Sequence, residues 1–141
     1  MKKVLFICTH NSARSQMAEA LVNHDLAGRV EAFSAGTEPS TVHPLAAKVM
    51  AELKVDISCQ RSKALDEFID QKFDYVITLC DQAAEACPVF FGGTHRLHMG
   101  FPDPAEVLGI EEEKLSVFRK VRDEIREKVM GFLADPKEGK E

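Results

Sequence analysis

Lys3-Val4-Leu5-Phe6-Ile7-Cys8-Thr9-His10-Asn11-Ser12-Ala13-Arg14-Ser15-Gln16-Met17 stands almost at the start of the chain, and its reading decides the fold. Residues 4–7 form a short, uninterrupted apolar run, the pattern of a strand buried on both faces. Polar and small residues then break the run, and helical spacing follows through Met17, Ala20, Leu21 and Val22. Strand, short loop and helix make the first half of a βαβ unit. Lys2 and Lys3 before the apolar run give it a signal-peptide look, but the run is too short and ends in Thr9-His10-Asn11-Ser12. A buried first strand in a cytoplasmic protein is the expectation.

The same alternation continues outward. Residues 30–34 read as a second strand, closed by Ala35-Gly36-Thr37-Glu38-Pro39, and Leu45, Ala46, Val49, Met50 and Leu53 mark one face of a second helix. Residues 65–69 suggest a short third helix, residues 75–79 a β-branched buried strand, and residues 96–98 a weaker strand. Leu115, Phe118, Val121, Ile125, Val129 and Phe132 place a long amphipathic helix over Glu111–Leu133. Asp135-Pro136 ends it, so residues 1–134 are one domain and 135–141 a frayed tail. The fold class is α/β, with a mainly parallel sheet. Sheets of this kind hold ligands at the carboxyl ends of their strands. The residues just after Ile7 and just after Leu79 are therefore where chemistry is sought, and both places begin with a cysteine.

Composition narrows the function. The chain has 141 residues, 45% of them hydrophobic and 29% charged, which excludes disordered and fibrous architectures. A net charge of −5 argues against general binding to nucleic acid or to an anionic membrane. No run of about 18 apolar residues supplies a membrane-spanning helix. An acidic chain that handles anions must do so at one local site. The four cysteines (Cys8, Cys59, Cys80, Cys87) are expected to be thiols in a reducing compartment, which points to catalysis, redox cycling or metal before structural disulfides.

Cys8 and Arg14, separated by five residues and followed by a helix, suit an oxyanion cradle that carries a nucleophile. Loop and helix amides converge on a tetrahedral anion. Arg14 adds bidentate, charge-assisted hydrogen bonds. The same positive field is expected to lower the Cys8 pKa. Thr9, His10, Asn11, Ser12, Ala13, Arg14 and Ser15 are the candidate oxyanion-binding residues, with Asn11 as a brace and Ser15 as a donor to the sulfur. A bare Cys-x5-Arg pattern also arises by chance, in which case Cys8 simply ends a strand. His10 either modulates Cys8 or points to solvent.

Cys80 and Cys87 are seven residues apart across the helix formers of 81–86, and they read equally as small core residues or as a reactive pair. No Cys-x2-Cys or matching His pair supports zinc, and no metal is expected. At the ends of one continuous helix their Cα atoms would lie roughly 10 Å apart. A disulfide needs about 7 Å, so residues 81–86 would have to unwind for one to form. In Pro102-Asp103-Pro104 two prolines fix the backbone around one carboxyl group, either as a general acid or as a solvated turn with a helix cap.

Cys8 to Ser15 with Gln16-Met17-Ala18-Glu19 resembles the active-site loop of the low-molecular-weight protein tyrosine phosphatase superfamily. Thr78-Leu79-Cys80, Cys87-Pro88, Asp103-Pro104-Ala105, Ser34-Ala35-Gly36-Thr37 and Val121-Arg122-Asp123-Glu124-Ile125 are similar to its thioredoxin-coupled arsenate reductase branch, over about residues 3–133. The resemblance implies a single domain with a four-stranded parallel sheet flanked by helices on both faces. It also implies a three-thiol relay on arsenate, with Cys8, Cys80, Cys87, Arg14 and Asp103 catalytic. No tightly bound cofactor is implied, thioredoxin is the external reductant, and a monomer is expected. Some relatives bind potassium near the loop through an Asn, a Glu, a Ser and an Asp. Asn11, Glu19 and Ser34 match, but Lys63 stands where the Asp is expected.

The chemistry of the residues agrees, because phosphorus(V) does not accept two electrons and extra thiols make sense for a reducible oxyanion or a redox switch. A tyrosine phosphatase using Cys8, Arg14 and Asp103 is the alternative. It calls for an aromatic-lined mouth, whereas the chain has one Tyr, no Trp and an alanine after Asp103-Pro104. A non-catalytic binding or phosphocarrier domain on a similar sheet is a rival of another class, and Arg14 argues against the phosphocarrier, which needs no tight oxyanion clamp.

Overall fold

A computed structural model describes residues 2–80 and 95–133. Four strands, β1 (Lys2–Cys8), β2 (Val30–Gly36), β3 (Tyr75–Thr78) and β4 (His95–His98), form one sheet in the order β2-β1-β3-β4. All three pairings are parallel, with Phe6 opposite both Ser34 and Ile77, and Thr78 opposite His98. The central strands carry the unbroken apolar runs, and Val4, Leu5, Phe6, Ile7, Val76 and Ile77 are fully buried. That follows from their need to satisfy a core on each face.

Helices α1 (Arg14–Asp25), α2 (Pro44–Ala51) and α3 (Glu111–Leu133) cover one face. Met17, Leu21, Val49, Met50, Phe118 and Ile125 pack there against Val4, Phe6 and Ile77. On α3 the buried set Leu115, Phe118, Val121, Arg122, Ile125 and Val129 keeps the three-to-four spacing read from sequence. Arg122, inside the segment that carried the resemblance, is buried and donates to Val49 O at 2.8 Å and Glu52 Oε1 at 2.9 Å, which ties α3 to α2.

On the other face one segment differs from expectation. Residues 65–69 do not form an α-helix; a 3₁₀ turn spans Leu65–Phe68. Leu65 and Phe68 pack with Phe73 on Leu5, Ile7 and Val76, and the Phe33, Phe68 and Phe73 rings meet tilted or edge-to-face at 5.7 to 6.1 Å between centroids. Four residues are too few for a stable α-turn ladder, and the aromatic contacts fix the segment instead. β4 is the weakest strand in sequence and the polar edge in structure, with His95, Arg96 and His98 exposed. No helix among the described residues is long and apolar enough to cross a membrane. Residues 81–87, over which a helix and its unwinding are expected, and the tail 135–141 lie outside the described residues.

Since β2 lies to one side of β1 and β3 to the other, the chain diverges at the carboxyl ends of β1 and β3. That divergence is the switch point at which open parallel sheets bind ligands. Cys8 ends β1, and Cys80 lies just past β3.

Candidate active site

The loop from Cys8 to Ala13 joins β1 to α1, and its carbonyls are tied down on the outside. Thr37 N–H donates to Cys8 O at 3.3 Å, Glu38 N–H to Thr9 O at 2.8 Å, Ser40 N–H to His10 O at 3.1 Å, and His43 N–H to Ser12 O at 2.9 Å. A trans peptide sets the next N–H antiparallel to each carbonyl. The amides of Thr9, His10, Asn11 and Ala13 are thereby turned away from the 37–43 strap, and the Thr9 amide bonds to Cys8. α1 begins on Ala13, which brings no side-chain cap, and its first turn holds no acidic residue. The leading amides stay available to an anion.

A second layer holds the loop from beneath. Asn11 adopts φ +50°, and its fully buried side chain is shared. Its Nδ2 donates to Ser15 Oγ at 2.8 Å, while its Oδ1 accepts from Gln16 Nε2 at 2.8 Å and from Lys63 N–H at 2.8 Å. Gln60 Nε2 donates to Gln16 Oε1 at 2.6 Å. The Asn11 side chain is thus placed as the expected brace, while its backbone amide is among those turned away from the strap. Ser15, accepting from Asn11, keeps its hydroxyl hydrogen for an acceptor. Sequence reading missed the bracing roles of Gln16 on α1 and Gln60 in the segment after α2, because a glutamine carries no local signal of the bond it makes.

Gly36 at the end of β2 explains the small-residue run 34–36. A Cβ there would sit 2.7 Å from Thr9 O and 2.9 Å from Asn11 N, so the strand approaches the loop only as glycine. Lys63 Nζ donates to Arg61 O at 2.9 Å and lies 3.4 Å from both Glu19 Oε1 and Ser34 Oγ. A tethered ammonium thus stands among two of the residues matched to a potassium site in some relatives. Among the described residues no group of three or more His, Cys, Asp or Glu is placed to hold a metal.

Arg14 and Asp103 meet as the sequence pairing implies. Arg14 Nη2 lies 3.6 Å from Asp103 Oδ2, and Nη1 donates to Phe101 O at 2.9 Å, tying the oxyanion loop to the acid-bearing loop. Asp103 also accepts from Ala105 N–H at 2.9 Å and caps the 3₁₀ turn Pro104–Glu106, so cap and candidate acid are one residue. His10 is not simply solvated. Its Nδ1 meets Glu38 O at 3.0 Å, and since a carbonyl only accepts, Nδ1 carries the hydrogen.

The two sulfurs are neighbours. The Cys80 side chain hydrogen-bonds with Cys8, and Cys80 Sγ lies 3.1 Å from Thr9 Oγ1. Cys8 faces a small recess of 80 Å³ with Ser12, Ala13, Arg14 and Asp103. Cys80 faces a mouth of 490 Å³ with Thr9, Phe101, Asp103 and Glu106. Arg14 and Asp103 border both. Thr9, expected among the oxyanion-binding residues, thus has a partner the sequence did not reveal.

The expectation of a lowered Cys8 pKa is overturned. The Cys80 thiol and burial push the Cys8 thiol well above its ordinary value, while the Arg14 guanidinium and the Thr9 amide pull it down. Two sulfurs in contact resist a charge on either one, and that repulsive partner lies 72 residues away, invisible to local reading. Exposed Cys59 stands apart from the site, and Cys87 lies outside the described residues.

A cysteine and an arginine framing an amide-lined loop, at the switch point of a four-stranded parallel sheet, define a phosphatase-type oxyanion site. The chain belongs to the family of the low molecular weight phosphotyrosine protein phosphatases, whose profile matches residues 3–141. Within that family it groups with the arsenate reductases. It is 46% identical over 131 residues to an arsenate reductase of Halalkalibacterium halodurans, covering 93% of this chain and 94% of that protein. A solved arsenate reductase in its oxidized state superposes with TM-score 0.81 at 36% identity, over 95% of this chain and 98% of the other. A thioredoxin-dependent arsenate reductase of Corynebacterium glutamicum gives TM-score 0.71 at 32% identity, over 93% of this chain and 61% of that one.

Proposed function

We propose that the protein reduces arsenate to arsenite by a three-cysteine relay that thioredoxin resets. Arsenate enters the recess, where Arg14 and the loop amides take its oxygens. The thiol of Cys8 gives its proton to the bound dianion, which is why a preformed thiolate is not required. The sulfur attacks arsenic, and Asp103 donates a proton to the departing oxygen, which leaves as water. Cys80 then attacks the Cys8 sulfur as a thiolate. The S–As bonding pair goes to arsenic, which falls from the +5 to the +3 state, and arsenite departs. Cys87 attacks Cys80, releasing Cys8 as the thiol and leaving a Cys80–Cys87 disulfide, and thioredoxin reduces that disulfide by exchange.

The observation that carries this reading is the contact between Cys80 and Cys8. Hydrolysis of a phosphate ester needs nucleophile, clamp and acid, whereas the neighbouring thiol only raises the Cys8 pKa and hinders it. As the route for the electrons of a reduction, the same thiol has a purpose. The thioredoxin-dependent C. glutamicum relative supports the choice of reductant. Purified protein with arsenate, thioredoxin, thioredoxin reductase and NADPH should consume NADPH in proportion to arsenate added. Hydrolysis of an aryl phosphate with no arsenate-dependent NADPH consumption would instead favour the phosphatase alternative.

A further inference from the structure

Leu108 and Ile110 are the large apolar side chains left in water among the described residues, at 89% and 66% exposure. They stand on the loop between the Pro104–Glu106 turn and α3, and that loop is held at both ends. Val107 N–H donates to Pro104 O at 3.4 Å, Ile110 N–H to Glu113 Oε1 at 3.2 Å, and Lys114 N–H to Ile110 O at 3.1 Å. Gly109 between them takes φ +134°, and the Glu113 carboxylate occupies the space a Cβ would need, 2.9 Å away. Two bulky side chains are thus presented from an anchored turn. Such surface leaves apolar area in water, and it suits a face that a partner covers.

The position of the pair says which partner. Glu106 borders the mouth that holds Cys80. Leu108 is two residues further on, at most about 7 Å along the chain, so it stands beside the mouth onto which that sulfur opens. An oxyanion in the Cys8 recess has no use for it; a protein that brings its own thiol to the site does. Residues 103–114 are acidic, with Asp103, Glu106, Glu111, Glu112 and Glu113 against Lys114, although Glu111 is paired with Lys48 at 2.9 Å and Asp103 lies 3.6 Å from Arg14. The matching surface is apolar at its centre and basic at its edge.

We propose that Leu108 and Ile110 form the apolar centre of the docking surface for the dithiol protein that re-reduces this enzyme. This rests on the relay proposed above, and the experiment separates the two. In the full chain, an L108S/I110S variant is compared with wild type for three readouts. These are the KM for thioredoxin in the NADPH-coupled assay, the arsenite released in a single turnover without thioredoxin, and hydrolysis of p-nitrophenyl phosphate.

The KM for thioredoxin should rise fivefold or more, with kcat at saturating thioredoxin, the single-turnover yield and hydrolysis all within twofold of wild type. An E111K/E112K variant, with the apolar pair intact, should raise the same KM and weaken its salt dependence. An unchanged KM in L108S/I110S overturns the docking surface and leaves the relay standing. Loss of single turnover and hydrolysis in that variant assigns the pair a structural role and also overturns it. A wild-type dimer that the double substitution dissociates assigns the face to a second copy of the chain and likewise overturns the docking surface. No arsenite from the wild type in a single turnover defeats the relay itself and the docking surface with it.

Discussion

The ends of β1 and β3 lie side by side and each presents a cysteine, yet the two are built in different ways. Around Cys8 the backbone is over-determined. Amides of 37–43 take four loop carbonyls, Asn11 and Gln16 brace the loop from below, and Gly36 makes room for it. Among the described residues, Cys80 follows a strand end held by Leu79 N–H to Ile7 O at 2.9 Å and Phe101 N–H to Leu79 O at 3.1 Å, and its side chain meets the Cys8 sulfur and the Thr9 hydroxyl. A rigid cradle suits a group that must meet a tetrahedral anion in one geometry. A sulfur that attacks first one partner and is then itself attacked needs proximity more than a fixed frame.

The largest effects should come from breaking this division at the sulfurs. Cys8→Ser should remove arsenate turnover and aryl phosphate hydrolysis alike, by at least about a thousandfold, since no other side chain offers the nucleophile. Cys80→Ser and Cys87→Ser should lose arsenate turnover to the same extent yet retain hydrolysis within a few-fold. Equal loss of hydrolysis in all three would mean that the two ends share one role. Cys59→Ser, at an exposed position away from the site, serves as the control.

Gly36→Ala tests the rigid side of the comparison. The new methyl meets backbone atoms of Thr9 and Asn11, not a side chain that could swing aside. Thermal unfolding should show a loss of about 1–3 kcal/mol, typical of an overpacked core. KM for arsenate should rise together with KM for an aryl phosphate. A normal melting temperature and unchanged KM values would show that the loop tolerates displacement and is less rigid than its hydrogen bonds imply.

A subtler effect tests the coupling of the two ends. The Cys80 side chain is the foremost cause raising the Cys8 pKa. Cys80→Ala should therefore move the pH midpoint of Cys8 alkylation by iodoacetamide downward. An unmoved midpoint would leave burial alone to explain the raised value.

The difference between the two ends also explains what was legible in the sequence. Cys8, Arg14 and the strand–loop–helix around them form a local pattern within a dozen residues, so the cradle and the parallel sheet could be read directly. β4 was faint because His95-Arg96-Leu97-His98 is a polar edge whose existence depends on the ladder offered by β3. The raised pKa of Cys8 is not legible locally, because its foremost cause, the Cys80 side chain, lies 72 positions away. Lys63 gave only a mismatch in sequence. In the structure its ammonium lies with Glu19 and Ser34, which predicts the smallest effect of all: melting temperature and activity should respond alike to potassium and sodium chloride at matched ionic strength. A potassium-specific rise would show that an ion still binds there.

The central claim is that Cys80, together with Cys8, supplies the two electrons that reduce arsenic before Cys87 takes part. Cys87→Ser, fully reduced and mixed with excess arsenate without thioredoxin, isolates that step. Acid quenching followed by peptide mass spectrometry should find one arsenite per protein and a Cys8–Cys80 disulfide in matching yield. No arsenite, or arsenite with Cys8 and Cys80 both still alkylatable as thiols, would contradict the relay.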